Sequence, residues 1–199
     1  MTPDPTAHLT DLIRDVPLLQ SVLEKIESLN LPDAWLVAGS IAGIVWNHQA
    51  GQPALQGIRD LDIVYFDPQD LSADTEAALE AKFAEFPLPI DVKNQARVPL
   101  WFEAKFGVPC PPYRDTPDAI ASYPTTSTTL GVRQVGKHLQ ICAPFGLVDL
   151  FDGVIRANGR LTTEEVYVKK TTRWVAEWPH LLVLPWSERV LPESPTVTL

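Results

Sequence analysis

The segment IRDLDIVYFD, residues 58–67, combines a strand pattern with two closely spaced carboxylates. Its apolar run at 63–66 is β-branched and aromatic, and it predicts a buried strand. Asp60 and Asp62 precede this run. Because residues i and i+2 of a strand share a face, both carboxylates lie on one side while Leu61 turns into the core. Such carboxylates repel each other unless a cation lies between them, and magnesium prefers carboxylate and phosphate oxygens. Taken alone, the triplet is more often a turn or cap.

Upstream of this segment, a strand is followed directly by a helix. Residues 36–38 predict a short buried strand, and Ile41–Ala50 has helical composition and ends near Gly51. Gly39 and Ser40 form the junction. Glycine allows a phosphate to approach the backbone, and free N–H groups at a helix start attract anions. Taken alone, this pair is typical of a plain strand-to-helix turn.

Downstream, a helix predicted at 73–86 leads to a third short strand at 88–92, with Asp91 near its end. Asp91 alone is typical of a solvated residue at a strand end. The combination is more specific than its parts: strand-Gly-Ser-helix, then D-x-D, then a lone carboxylate on a third strand.

The remaining elements complete an α+β domain with a small mixed sheet flanked by helices. Apolar spacings of three and four predict an amphipathic helix over 9–29, with a break at Pro17. The proline-rich stretch 86–125 predicts loops. Further elements are a strand pair at 131–135 and 138–142, a helix or helical turn at 146–155 and a helix at 164–178. We therefore expect a helical segment at 1–30 packed on the core, a domain at 31–182 and an extended tail at 183–199.

The composition is that of a globular protein, with 199 residues, 45% hydrophobic and 21% charged. No apolar run is long enough to span a bilayer, and the first residues do not resemble a secretory signal. Cys110 and Cys142 are the only cysteines and suggest neither a disulfide framework nor a metal knuckle. We expect a cytoplasmic protein with no membrane partner.

The net charge of −9 disfavours a large nucleic acid partner, which usually needs a basic stripe, and a small acceptor fits better. Neither a P-loop nor a Rossmann glycine motif occurs. No G-x-S-x-G elbow surrounds Ser40, and the histidines lack zinc-ligand spacing.

The ordered motifs resemble the nucleotidyltransferase superfamily, and within it the chain is most similar to an uncharacterised bacterial family of nucleotidyltransferase-like proteins. The segments that carry the resemblance are LVAGSIAGIVWN (36–47), IRDLDIVYFD (58–67), IDVKNQARV (90–98), TTLGVR (128–133) and APFGLVDLFDGVIRAN (143–158). The resemblance implies the polymerase-beta-like fold. The interval from Ser40 to Asp60 is longer than in the minimal pattern, which implies an extended helix or loop at 48–57.

The resemblance also implies a site and a reaction. Asp60 and Asp62 match the metal-binding pair, Asp91 matches the third carboxylate, and Gly39-Ser40 matches the phosphate-contacting turn. The resemblance implies a nucleoside triphosphate and two magnesium ions held by Asp60 and Asp62, one of them also bound by Asp91. A nucleoside monophosphate would move to an unknown small-molecule or protein acceptor with release of pyrophosphate, and Asp91 would act as general base.

Four further polar residues are predicted to contact nucleotide. Lys93, Arg97 and Arg133 are candidates to neutralise charge on pyrophosphate or acceptor, although each is more often a surface or salt-bridge residue. Asn94 is a candidate hydrogen-bond partner for a base or ribose, or a residue that stabilises its loop.

Two other functions compete with this interpretation. One is a catalytically inactive nucleotide-binding or interaction protein of the same fold. The other is a metal-dependent glycosyltransferase, in which D-x-D also binds a nucleotide diphosphate. The glycosyltransferase hypothesis leaves Gly39-Ser40 and Asp91 unexplained.

Overall fold

A computed structural model of the chain describes residues 4–191, which build a five-stranded mixed sheet flanked by helices. The strands are β1 Trp35–Val37, β2 Leu61–Tyr65, β3 Ile90–Asn94, β4 Gly131–Val135 and β5 His138–Cys142, in the spatial order β3-β2-β1-β4-β5. β2 and β3 run parallel, and the other neighbouring pairs run antiparallel. The predicted α+β class and mixed sheet are confirmed, and β4 and β5 have the predicted bounds.

Eight helices and a small second sheet complete the described residues. The helices are α1 Pro5–Arg14, α2 Pro17–Leu29, α3 Gly39–Ala50, α4 Ala73–Ala81, α5 Phe102–Phe106, α6 Thr116–Ile120, α7 Val148–Phe151 and α8 Glu164–Glu177. The second sheet pairs β6 Val154–Ile155 with β7 Leu182–Val183 in parallel. Short 3₁₀ turns lie at Gln95–Leu100, Thr126–Thr128 and Trp186–Glu188.

Prolines and glycines account for most differences from the predicted elements. The predicted helix 9–29 is two helices, because Pro17 begins α2 at a position where its missing N–H costs no hydrogen bond. β3 starts after Pro89, so Asp91 lies near the beginning of this strand and not near its end. The predicted helix at 146–155 is the short α7 followed by β6, with Gly153 at φ +67° between them.

The two faces of the sheet differ in character. Alternation along β2 turns Leu61, Ile63 and Tyr65 into the main core. Helices α1, α2, α3 and α8 contribute to this core. The opposite face carries Asp62 and Val64 and is covered only in part, by residues from Ile120 to Tyr123. Polar groups on this second face therefore have space for a ligand.

Both predicted end segments contact the domain where they are described. Leu9, Ile13, Leu19 and Val22 of the segment 1–30 are buried in the main core. In the predicted tail 183–199, Val190 forms a bridge to Asn158, and residues 192–199 lie outside the described residues. Between residues 4 and 191, no helix is both long enough and apolar enough to cross a membrane.

Candidate active site

The centre of the site is a pair of carboxylates on neighbouring strands. Asp62 of β2 lies directly opposite Asp91 of β3 in the parallel ladder. Paired residues of neighbouring strands share a face, and the strands lie about 4.8 Å apart. Asp60 precedes β2 on the same side of the chain. The structure therefore brings the three predicted carboxylates into one region.

The surroundings of Asp62 destabilise the ionised form of its carboxylate. Burial and the charges of Asp60 and Asp91 raise its pKa from the ordinary value of 3.8 to about 6, against smaller opposing effects of Lys170 and Lys93. A cation at this position would relieve both the repulsion and the lost hydration. The carboxylates of Asp60 and Asp62 therefore fit a hard divalent ion such as magnesium.

Asp91 is engaged by a lysine. Lys93 Nζ lies 2.5 Å from Asp91 Oδ1 and 2.7 Å from Glu80 Oε1. Partial burial raises the pKa of Asp91, and the neighbouring Glu80 carboxyl adds to this while the Lys93 ammonium opposes it. Across residues 4–191, no group of three or more His, Cys, Asp or Glu side chains is arranged to hold a metal ion. Asp60 and Asp62 are therefore only a candidate pair for a cation, with Asp91 beside them.

Helix α3 begins at the edge of this site without a side-chain cap. Its N-cap residue, Ala38, offers no side-chain hydrogen bond, so the first amides of the helix have no side-chain acceptor there. A Cβ atom added at Gly39 would contact nothing within 4 Å, which shows open space in front of this residue. The start of this twelve-residue helix is available to an anion.

Three basic side chains face the start of α3. Arg59 precedes the D-x-D triplet, and Lys170 and Arg173 project from α8, three residues apart and hence on one helix face. None of the three forms an ion pair with a carboxylate among the described residues. Burial and the charge of Arg173 lower the pKa of Lys170, whereas Asp62 and Asp60 raise it. The cluster leaves positive charge uncompensated next to the carboxylates.

Two cavities meet at Asp62. The smaller, about 90 Å³, is lined by Gly39, Ser40, Asp60 and the three basic side chains. The larger, about 390 Å³, reaches from Asp62 to the residues that follow β3 and is lined mainly by apolar and aromatic side chains. Asp62 and Lys170 line both. A ligand of mixed character can therefore place a charged part on one side of Asp62 and an apolar part on the other.

The loop before the D-x-D triplet is fixed by a buried asparagine. Asn47 Nδ2 donates to the carbonyl oxygens of Ala54 and Gln56, at 2.8 Å each, and its Oδ1 accepts from Trp178 Nε1 at 2.6 Å. These bonds tie the loop 51–60 to both α3 and α8. They show how the long interval between Ser40 and Asp60 is accommodated without displacing Asp60.

The sequence of the chain matches a protein family over most of its length. A family model described as nucleotidyltransferase matches residues 24–183. The chain belongs to this nucleotidyltransferase family. The match includes the Gly39-Ser40 turn and all three carboxylates, and it confirms the predicted resemblance.

One solved structure supports the same assignment of fold. An NMR structure described as revealing a CCA-adding enzyme head domain superposes with a TM-score of 0.72 at 26% identity, covering 88% of this chain and 94% of the other. A tRNA-processing enzyme in an apo form gives a TM-score of 0.42 at 15% identity, covering 78% of this chain and 42% of the other. Among curated protein sequences, none matches this chain.

Several residues predicted to bind nucleotide lie away from the two cavities in this member of the family. Asn94 is fully buried and hydrogen-bonds with Asp67 and Asp70, and Arg97 pairs with Glu76. Arg133 pairs with Asp33 at 2.9 Å and lies over the Trp35 ring. None of the three lines the two cavities at Asp62, and their observed contacts hold strands and loops together. Lys93 does line the larger cavity, but its ammonium is paired with Asp91 and Glu80.

Lys170 and Arg173 are site residues that the sequence interpretation missed. Trp174 of the last helix and Trp178 just after it are buried in the main core. Lys170 lies four residues before Trp174 on this helix, and Arg173 lies three residues after Lys170. An amphipathic analysis of the helix, combined with the strand motifs, provides the signal that these two cations lie near the site.

The backbone just before Gly39 is strained. Ala38 has φ +60° and ψ −125°, a region that only glycine adopts readily. We expect Ala38→Gly to raise the free energy of unfolding by about 1 kcal/mol, since relief of strain exceeds the entropic cost of an added glycine. Urea denaturation measures this change. Gly39→Ala is the matched control and should have a smaller effect, and an Ala38→Gly variant less stable than wild type would contradict the strain.

The raised pKa of Asp62 predicts a pH-dependent loss of stability in EDTA. Between about pH 4 and 6 the folded protein retains a proton that the unfolded chain releases, because the pKa of Asp62 rises from 3.8 to about 6 on folding. The stability from this group is present below pH 4 and is lost as pH rises through 6, with a total of about 3 kcal/mol.

Subtracting the unfolding free energy of Asp62→Asn from that of wild type isolates this contribution from other carboxylates. Urea melts at pH 4 and 7.5 should show the difference becoming less favourable to wild type at the higher pH. A difference that does not change with pH would show that Asp62 has an ordinary pKa.

Proposed function

We propose that this chain is a magnesium-dependent nucleotidyltransferase that moves a nucleoside monophosphate from a nucleoside triphosphate to an acceptor hydroxyl, with release of pyrophosphate. The observation that carries the proposal is the set of charged groups around Asp62. The carboxylate of Asp62 lies beside those of Asp60 and Asp91, and the cavity that it lines together with Asp60 also contains the start of α3 and three basic side chains that form no ion pair among the described residues. Family membership and the likeness to a CCA-adding enzyme head domain support the use of a nucleoside triphosphate.

Each residue group has a distinct role in the proposed reaction. Asp60 and Asp62 would hold magnesium, which when bound would neutralise phosphate oxygens and orient the reacting phosphoryl group. The backbone at Gly39 and Ser40 would donate to the β- and γ-phosphates. Lys170 and Arg173 would stabilise the charge that develops on pyrophosphate, a role that fixed cations perform well in a partly dehydrated cavity.

The transfer itself is an in-line displacement. The acceptor oxygen forms a bond to the α-phosphorus, and the bond from that phosphorus to the oxygen bridging to the β-phosphate breaks. The electron pair of the broken bond leaves with pyrophosphate. Asp91 would accept the hydroxyl proton, for which its raised pKa is favourable, and Lys93 must shift from Asp91 for this to occur.

One observation favours an alternative without turnover. Lys93 already compensates the charge of Asp91, so Asp91 needs no cation for its stability. A protein that binds nucleotide through Gly39, Ser40 and the basic cluster, but does not transfer it, would retain this ion pair. The two functions differ in whether the α-phosphoryl group reaches another molecule.

Transfer of an α-phosphate label tests the proposal. The wild-type protein would be incubated with magnesium, each α-labelled ribonucleoside triphosphate and fractions containing small molecules, proteins or RNA. We expect label on one fraction together with equimolar pyrophosphate, and neither product with the Asp60→Asn/Asp62→Asn double variant. Bound nucleotide without transfer in any fraction would favour the alternative. The RNA fraction is included because of the likeness to a CCA-adding enzyme head domain.

A further inference from the structure

The larger cavity at Asp62 has a wall of aromatic side chains, of which only Tyr113 is buried, while Trp101 and Phe102 pack against the cluster of Tyr113 and stay partly exposed. Its walls include the rings of Trp101, Phe102, Phe106, Tyr113 and Tyr123. Three of these rings come from helix α5 and the residue before it, and α5 contains no buried residue. The centroids of Phe102 and Phe106 lie 4.7 Å apart, so the rings form one half-exposed surface. We call this space the aromatic cleft.

The position of the aromatic cleft relative to the phosphate groups suggests its occupant. In phosphoryl transfer the attacking and leaving oxygens lie on opposite sides of the phosphorus. The proposed function places pyrophosphate in the small cavity at the start of α3. The aromatic cleft meets that cavity at Asp62, is not lined by Gly39 or Ser40, and extends instead to the residues that follow β3, from Gln95 to Phe106. An attacking hydroxyl therefore reaches the α-phosphorus from the cleft.

We propose that the aromatic cleft binds the acceptor and that the acceptor is a small molecule with a planar aromatic body and a hydroxyl group. The proposal rests on the proposed function for its orientation. A volume of about 390 Å³ suits a small organic molecule. Aromatic walls favour stacking with a planar ring. The charged groups of the cleft, Asp62, Lys93 and Lys170, lie where the acceptor hydroxyl would meet the phosphate.

A sugar fits this cleft poorly. It would lose its hydration against the aromatic rings, which offer its hydroxyl groups no equivalent hydrogen bonds in exchange. A single-stranded RNA end could stack its bases there, but it also needs cations along its backbone. Of the two lysines that line the cleft, Lys93 is paired with two carboxylates, and the chain carries a net charge of −9. These charges favour the small aromatic acceptor over RNA.

Binding of 7-hydroxycoumarin to the full-length protein, followed by its fluorescence, tests the proposal without turnover. We expect saturable binding of 7-hydroxycoumarin, and we expect that glucose does not displace it. Trp101→Ala and Phe106→Ala should each weaken binding of 7-hydroxycoumarin at least about 10-fold, as loss of stacking and contact area predicts. Val166→Trp, which fills the cleft from α8, should abolish it and guards against unfolding of the truncated variants. Phe145→Ala, which removes a 40% exposed ring outside the cleft, should have no effect.

A second titration in the presence of ATP and magnesium separates the possible occupants. Retention of 7-hydroxycoumarin binding at saturating ATP supports an acceptor cleft distinct from the nucleotide. Displacement by ATP would show that the cleft takes the nucleobase, and displacement by a short single-stranded RNA would show that it takes nucleic acid. Either result, or no binding of 7-hydroxycoumarin, overturns the proposal. Absence of ATP binding while 7-hydroxycoumarin still binds would count against the proposed function and not against the cleft as a site for planar rings.

Discussion

We expect Asp62→Asn to reduce magnesium-dependent nucleotidyl transfer by at least about 10³-fold, because loss of a metal-binding carboxylate removes several kcal/mol of charge stabilisation from the transition state. Asp62 lies opposite Asp91 in the ladder and lines both cavities, so no other side chain takes its place. The same substitution should raise the free energy of unfolding near neutral pH in EDTA, because the neutral amide removes the repulsion with Asp60 and Asp91.

The opposite signs of these two effects are the diagnostic feature. A residue with a purely structural role loses stability and activity together, whereas a strained site residue loses activity and gains stability. Transfer of the α-phosphate label and urea denaturation of the same preparation measure both. Asp152→Asn, which changes an exposed carboxylate outside both cavities, is the matched control and should change neither. Near-normal turnover of Asp62→Asn would refute its assignment to the metal.

The largest expected loss of stability comes from Trp46→Ala, at about 3–5 kcal/mol. Trp46 is fully buried in α3, and its ring centroid lies 5.6 Å from that of Trp174 and 5.1 Å from that of Trp178. Truncation leaves a cavity between α3 and α8. For a domain of this size, the loss corresponds to a fall in Tm of roughly 10 °C.

Trp46→Phe is the matched variant for this position. Trp46 Nε1 is buried without a hydrogen-bond partner in the described part of the chain, so phenylalanine removes an unsatisfied donor while keeping most of the ring contact. We expect Trp46→Phe to cost less than half as much as Trp46→Ala by urea denaturation. Because α8 carries Lys170 and Arg173, the alanine variant should also bind nucleotide more weakly. Equal stability of the alanine variant and wild type would show that this aromatic cluster does not hold α8 in place.

Local sequence patterns predicted the elements that local interactions form. The β4–β5 hairpin has its predicted bounds because its turn at Gly136-Lys137, with Gly136 at φ +58°, lies between two short extended segments. The helix after Gly39-Ser40 ends as predicted before Gly51, whose φ of +64° suits glycine. Such signals depend on residues a few positions apart, and they are therefore readable along the chain.

Contacts between distant segments were not predictable in the same way. The pairing of Asp62 with Asp91 depends on β2 and β3 being parallel neighbours, which the sequence analysis did not predict. Asn94 and Arg97 have the chemistry of nucleotide ligands, but Glu76 of α4 approaches both of them. The position of Lys170 beside Asp62 depends on how α8 packs across α3. Side-chain chemistry thus predicted the carboxylates, and packing decided which cations reach them.

The proposed function requires Asp60 and Asp62 to bind magnesium together with the phosphates of a nucleoside triphosphate. This joint binding can be measured by calorimetric titration of the protein with each of the four ribonucleoside triphosphates, with magnesium and with EDTA. We predict that at least one binds only with magnesium and that the Asp60→Asn/Asp62→Asn double variant, folded as judged by its thermal melt, does not bind it. No binding of any triphosphate, or equal binding by the folded double variant, would contradict the claim.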